Sequence, residues 1–235
     1  MGHFCVGVCA VVIVVASAIA SDADGDAVLK ACPGALEFAR KQHDLGLQRD
    51  AAMGSVVLPK LQARLLEWVK SDQAVRNGLT VEIMADPLKA KRIMRRMHDV
   101  DERNYRRIKS VIDEFGFPTR KMVGGDGSGA AFLFVQHQTF HPEFQQFVLN
   151  IMAPLAKRGD VDQGQYALLL DRVLIEGQHK PQRYGTQFKL TGDRRMEMEP
   201  VEDIEHLDER RAELGLESIA IYRCTLDQYY HAPAP

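Results

Sequence analysis

The sequence predicts a mainly α-helical, bundle-like domain with one small antiparallel β-hairpin near residues 182–200. Apolar residues recur at spacings of three and four along most of the chain, which is typical of helices that bury one face. Proline and glycine stand at the expected starts and ends of these stretches. The region near residues 182–200 instead alternates polar and apolar side chains, as strands do.

The amino terminus has the features of a secretory signal peptide. No charged residue occurs from Phe4 to Ala20, and Ala18-Ile19-Ala20 has the small-x-small pattern that signal peptidase accepts. We therefore expect residues 1–20 to be removed and the mature protein to be secreted or periplasmic. Because the first three residues contain no Lys or Arg, an uncleaved membrane anchor is the alternative.

Removal of this segment leaves two cysteines, Cys32 and Cys224. In an oxidising compartment they can close as one disulfide that links the two ends of the mature chain. The alternative is a pair of buried thiols, because a sequence does not report the Cα separation that a disulfide requires.

The length of 235 residues favours one sizeable core. We expect a leader with a short helix over residues 21–57, a single helical domain over residues 58–225, and a tail over residues 226–235. The 30 basic and 32 acidic residues nearly cancel, so charge gives no reason to expect binding to nucleic acid, or to a membrane after signal cleavage. A small molecule or a peptide remains as the class of partner. The sequence identifies no cofactor and no oligomeric state.

Helices are predicted at several places in the central domain. Leu58, Leu61, Leu65 and Val69 form an amphipathic stripe, and Ser71-Asp72 suits the cap of a further helical stretch. Residues 87–115 form one long helix or two. Acidic residues are interleaved with its many basic ones, which favours an ordinary solvated face over a phosphate-binding surface.

A glycine-rich segment, Val123–Ala130, leads into an apolar helix that continues to Gln136-His137. The start of this helix can hold an anion, or Asp126 or Ser128 can act as a simple N-cap. His141 lies four residues after His137, which is a metal-ligand spacing on a helix. Pro142 favours an extended conformation at His141, so the helix is expected to end earlier and no metal ligand is assigned.

Asp171-Arg172 is flanked on both sides by apolar residues, so neither charge readily reaches water. A buried charge needs a partner, and the pair therefore belongs either to a structural ion-pair network or to a pocket.

The hairpin is predicted to pair a strand from Gln182 to Leu190 with a return strand from Arg195 to Pro200. A loop over residues 192–194 would set Phe188 opposite Met198, with Lys189 opposite Glu197 and Leu190 opposite Met196. Within the first strand, Gly185 permits a close backbone approach. The side chains around it supply a tight cluster of donors and acceptors, from Gln182, Tyr184, Thr186 and Gln187.

Several short motifs occur in this chain in a fixed order: Val123-Gly124, Val135-Gln136-His137, Asp171-Arg172-Val173, Gln182-x-Tyr184-Gly185-Thr186-Gln187, Asp208-x-Arg210-Arg211 and Gly215-Leu216. In this order the chain resembles the bacterial proteins grouped as the domain of unknown function numbered six-six-two-four, over about residues 95 to 222. Asp101-x-x-Asn104 and Gly116-x-Pro118 also fit that family. The chain departs from it at Phe117, where Trp is usual, and at Gln138-Thr139, where Ala-Asp is usual. The family brings no established activity.

Two functions fit these residues. In the first, the protein is a hydrolase or lyase in which His137 transfers protons, Asp171 orients it, and Tyr184 completes the catalytic set. The substrate-binding residues would then be Gln136, Arg172, Gln182, Gly185, Thr186, Gln187, Arg210 and Arg211. In the second, the same residues form a structural network in a non-catalytic ligand- or partner-binding module. Motifs for a serine nucleophile or a zinc protease do not occur in the sequence.

Overall fold

The computed structural model describes residues 29–78, residue 83, residues 86–191 and residues 196–231. The predicted signal peptide and the predicted hairpin loop at residues 192–194 lie outside this part of the chain. The fold class is confirmed, since the protein is mainly α-helical with one two-stranded antiparallel sheet. In chain order the helices are α1 (Ala35–Met53), α2 (Pro59–Arg76), α3 (Pro87–Phe115), α4 (Arg120–Gln136), α5 (Pro142–Arg158), α6 (Gln163–Arg172), α7 (Leu207–Glu213) and α8 (Ile219–His231).

The described residues fall into two compact units. The central unit is Gly46–Leu169, and the terminal unit joins the described residues up to Leu45 to those from Leu170 onward. The single domain over residues 58–225 and the tail from residue 226 stay a prediction from the sequence. Helix α8 extends to His231.

The central unit is built from the long helix α3 and its neighbours. Helix α2 packs on α3 and α4, and α4 also packs on α5. Asp86 caps α3 by accepting hydrogen bonds from the amides of Leu88 and Lys89, and Gly116 ends it with a φ of 73°. Residues 87–115 are therefore one helix. Its buried side chains join a core made of apolar residues from α2 to α5, including Leu65, Ile108, Phe132, Phe134 and Val148.

The glycine-rich segment differs from its prediction because most of it is helical. Helix α4 begins at Arg120, and Gly124 interrupts it with a φ of 72°, a conformation that favours glycine. Neither Asp126 nor Ser128 caps the helix. The helix ends at Gln136, before His141, and Pro142 starts α5, as the sequence predicted.

The terminal unit contains the hairpin, formed by β1 (Phe188–Leu190) and β2 (Met196–Met198). The predicted register is confirmed, because Phe188 pairs with Met198, Lys189 with Glu197, and Leu190 with Met196. The first strand is shorter than predicted, since residues 183–187 form an irregular turn.

Cys32 and Cys224 form a disulfide in this unit, with their Cα atoms 5.8 Å apart. The bridge therefore ties the segment before α1 to helix α8. Among the described helices, none combines the length and the apolar character needed to cross a bilayer.

Candidate functional site

A buried charged cluster in the central unit begins on helix α2. Asp72 and Arg76 lie on the same helix face as Leu61 and Leu65, because all four follow the helical repeat. The side chain of Asp72 is 0% exposed and that of Arg76 is 7% exposed, and Arg76 Nη1 donates to Asp72 Oδ1 over 3.0 Å. Asp72 was predicted to cap a further helix. Helix α2 runs through it instead, and the side chain turns inward to its partners.

Helix α3 supplies the second carboxylate of this cluster. Arg76 Nη2 donates to Asp101 Oδ1 over 2.6 Å, so one guanidinium joins Asp72 to Asp101. Asn104, one turn further along α3, donates from Nδ2 to Asp72 Oδ1 over 3.1 Å. Both residues belong to the Asp101-x-x-Asn104 motif, for which the sequence predicts no catalytic role.

His137 completes the cluster from the end of α4, where it is the C-cap residue. Its Nδ1 lies 3.3 Å from Asp72 Oδ2. This buried nitrogen makes no hydrogen bond within the described residues, so the two groups are at ion-pair distance but poorly aligned. The cluster is not fully closed, because the side chains of His137 and Asp101 are 11% and 12% exposed.

The environment shifts the pKa values of the cluster in different directions. Burial lowers the pKa of His137, and the nearby Arg76 charge adds to this, although Asp72 and Asp101 oppose it. Burial would raise the pKa of Asp72, but the contacts with His137, Arg76 and Gln73 outweigh it, so the pKa is lowered. Burial raises the pKa of Asp101, and here the contact with Arg76 does not compensate. At neutral pH we therefore expect a neutral imidazole beside an ionised Asp72.

The ligand atoms of Asp72, Asp101 and His137 lie within 4.8 Å of one another, which is close enough for the three to hold a metal ion. Arg76 already bonds to both carboxylates and supplies a positive charge between them. We therefore assign no metal to the cluster.

His141 does not share this site through its ring nitrogens. Its Nε2 lies 2.8 Å from Glu102 Oε1, and its ring stacks on Tyr105 with centroids 3.8 Å apart. The residue is the N-cap of α5, so His137 and His141 do not stand on one continuous helix.

A second polar network lies in the terminal unit, around Asp171. Its Oδ1 accepts from the amides of Arg183 and Tyr184 over 2.7 and 3.0 Å. Its Oδ2 accepts from the amide and the hydroxyl of Thr186 over 3.0 and 2.9 Å. Burial raises the pKa of Asp171, while these hydrogen bonds act against the rise. Both carboxylate oxygens are thus occupied by the turn at residues 183–186.

Two glutamine side chains extend this network, and one of them, Gln182, makes its hydrogen bonds to backbone groups. Gln182 Nε2 donates to the carbonyls of Gln187 and Glu199, and Gln182 Oε1 accepts from the amide of Gln187. Gln187 Nε2 donates to Thr186 Oγ1 over 3.0 Å. This pattern joins the turn to the strand that follows and to the return strand.

Two arginines hold the same turn from helix α7. Arg211 Nη1 donates to the carbonyl of Tyr184 over 2.6 Å, and Arg210 Nε donates to the carbonyl of Arg183 over 3.0 Å. The sequence places both arginines among the predicted substrate-binding residues. In the structure they bond to main-chain carbonyls of their own unit.

The structure thus divides the predicted site residues into two sets. His137 has Asp72 as its carboxylate partner, in the central unit, whereas the sequence predicts Asp171 in this role. The set around Asp171 lies in the terminal unit and comprises Tyr184, Thr186, Gln182, Gln187, Arg210, Arg211 and Gly185. Two further predicted residues, Gln136 and Arg172, are buried. Extending the Leu61 and Leu65 stripe by the helical repeat would have identified Asp72 and Arg76 as buried charges.

Comparison with known proteins gives a family and no activity. No curated protein and no solved structure shows significant similarity to the chain. The sequence matches the family model described as a family of unknown function over residues 59–232, which is most of its length. The chain therefore belongs to the family of unknown function DUF6624.

Proposed function

We propose that the central unit carries a proton-transfer site and that the protein is a hydrolase or a lyase. The observation that carries this proposal is the pair of carboxylates on either side of Arg76. The pKa of Asp72 is lowered while that of Asp101 is raised, beside a buried histidine whose pKa is lowered. Neighbouring titratable groups whose pKa values are shifted in opposite directions by their surroundings often act as an acid and a base in catalysis.

The exposed edge of the cluster supports a division of roles. His137 and Asp101 have the most exposed side chains of the cluster, so they are the ones that a substrate would reach first. His137, neutral at working pH, accepts a proton from water or from the substrate. The buried Asp72 stabilises the imidazolium that forms, and Arg76 with Asn104 fixes Asp72. Asp101, when protonated, donates its proton to the departing group.

The experiment is a screen of the purified mature protein against ester, amide, phosphoester and β-elimination substrates. With any substrate that is turned over, His137→Gln and Asp101→Asn are expected to lower kcat by about 100-fold or more. His43→Gln, which removes an exposed histidine on α1, serves as the control and should keep full activity. Full activity in a folded His137→Gln variant would contradict the proposal.

In the terminal unit, we propose that the residues around Asp171 act in folding and not in catalysis. The proposal is supported by the hydrogen bonds that these residues already make. Both carboxylate oxygens of Asp171, and both the oxygen and the nitrogen of the Gln182 side-chain amide, bond to groups of the same unit. If this network served a non-catalytic binding module instead, its polar atoms would need to be free to meet a ligand.

We also propose that the protein is exported. The uncharged segment from Phe4 to Ala20 supports this proposal, and so does the Cys32–Cys224 disulfide, because such bridges persist in oxidising compartments. Mass spectrometry of the protein from fractionated cells tests it. A mature chain that begins at Ser21 outside the cytoplasm is expected, whereas a cytoplasmic chain that retains residues 1–20 would contradict it.

A further inference from the structure

A groove in the central unit is organised around Trp68 on helix α2. The guanidinium carbons of Arg64 and Arg107 each lie 4.9 Å from the centroid of its ring. Such contacts are favourable cation–π interactions and hold the two arginines at fixed positions. Helix α3 forms the opposite wall, and the groove has a volume of about 380 Å³, which fits a small molecule.

The positive charges of this groove are poorly neutralised. Within the described residues, neither Arg64 nor Arg106, which both line the groove, makes an ion pair. Burial and the neighbouring charges of Arg103 and Arg64 lower the pKa of Arg107, although Glu67 opposes this. Collecting like charges costs free energy, which a bound anion would offset.

One end of the groove is apolar. Val111 and Phe115 line it next to the hydroxyl of Ser110, and Phe115 is 39% exposed although it is a large apolar residue. Glu114 is the one acid among the residues that line the groove. A ligand that places an anionic group among the arginines therefore meets an apolar surface at its other end.

We propose that this groove binds a small organic anion, with a phosphate or carboxylate held by Arg64, Arg106 and Arg107 and an apolar portion packed against Phe115. Guanidinium groups suit these oxyanions because they donate two parallel hydrogen bonds. The Trp68 ring is already contacted by two side chains of the protein, so it serves to position the arginines. The acidic residues interleaved along α3 and the net charge of −2 argue against a nucleic acid in this place.

The groove also neighbours the proposed proton-transfer cluster. Arg107 Nη1 lies 3.5 Å from Asn104 Oδ1, and Asn104 in turn donates to Asp72. Ligand binding in the groove does not depend on catalysis by His137, however, and each can be tested without the other.

Trp68 is the one tryptophan of the chain, so its fluorescence reports directly on this groove. The experiment titrates the purified protein with hexyl phosphate and, separately, with inorganic phosphate, at constant ionic strength. We expect a saturable change with hexyl phosphate and weaker binding of inorganic phosphate, which lacks the apolar portion. Arg106→Gln should weaken binding of hexyl phosphate about tenfold.

Arg95→Gln is the matched control, because it removes the same charge from an exposed site on the same helix, outside the groove. It should leave hexyl phosphate binding within about twofold of the wild type, an effect typical of screened surface charges. Phe115→Ser should weaken binding of hexyl phosphate but not of inorganic phosphate. Equal loss in the Arg95 and Arg106 variants, or no saturable change with hexyl phosphate, would overturn the proposal. Circular dichroism verifies that each variant is folded.

Discussion

Thr186 donates two hydrogen bonds to Asp171, one from its amide and one from its hydroxyl, over 3.0 and 2.9 Å. Both of these hydrogen bonds go to Oδ2 of Asp171. The other oxygen, Oδ1, accepts hydrogen bonds from the amides of Arg183 and Tyr184, which begin the same turn. The Asp171 carboxylate therefore holds residues 183–186 in their turn conformation. The Tyr-Gly-Thr-Gln motif thus supplies the amides of Tyr184 and Thr186 and the hydroxyl of Thr186 as hydrogen-bond donors to Asp171.

Asp171→Asn is expected to destabilise the protein by about 2–4 kcal/mol, because an amide nitrogen would replace one acceptor and face an N–H donor. Chemical denaturation of the variant and the wild type measures this difference. Glu205→Gln, at an exposed position of the same unit, should change stability little. A stable Asp171→Asn variant that had lost only activity would show that Asp171 belongs to the catalytic machinery.

Gly185→Ala tests the close packing of the turn. Gly185 has a φ of +65°, and an added Cβ would lie 3.1 Å from both Ile219 Cδ1 and Leu207 Cδ2. Gly215 has the same φ with open space around it, so Gly215→Ala carries the backbone strain alone, about 1–2 kcal/mol. We expect Gly185→Ala to cost about 1–3 kcal/mol more than that. Equal losses of stability in the two variants would show that packing around Gly185 is unimportant.

Removal of the disulfide is expected to destabilise the terminal unit. The bridge spans a sequence separation of 192 residues, and closing a loop of this size restricts the unfolded chain strongly. Replacing Cys32 and Cys224 together by Ser should cost about 2–5 kcal/mol. Thermal unfolding with and without a reductant measures the effect, and the double variant should be insensitive to the reductant. A wild type equally insensitive to it would contradict the presence of the bridge.

The buried histidine gives stability a defined pH dependence. Because folding lowers the pKa of His137 below its usual 6.5, the unfolded chain binds the proton more readily. The contribution of His137 to the free energy of unfolding is fully present above the pKa that histidine has in the unfolded chain. It is lost as the pH falls below that value. We therefore expect the melting temperature of the wild type to fall more than that of His137→Gln from about pH 8 to about pH 5. Parallel curves for the two proteins would contradict a lowered pKa.

The sequence was sufficient for the fold class, the hairpin register and several helix ends, because these depend on local signals such as Pro142, Gly116 and the alternation near residues 188–198. The alternation around Gly185 predicts strand, whereas residues 183–187 bend around Asp171, an acceptor more than ten residues away in the sequence. The sequence predicts a cap at Asp72 because Ser and Asp often precede the first turn of a helix. Its partners, Asp101 and Asn104, lie on another helix, and their approach is a tertiary contact that periodicity alone does not report.

The proposed proton-transfer site is tested most directly by an NMR titration of the His137 imidazole. Its pKa is expected to lie below the usual value for histidine. It should fall further in Asp72→Asn, because the neighbouring negative charge is lost, and should rise in Arg76→Gln, because a positive charge is removed. A pKa at or above the usual value that did not respond to Asp72→Asn would show that the two side chains do not form the proposed catalytic pair.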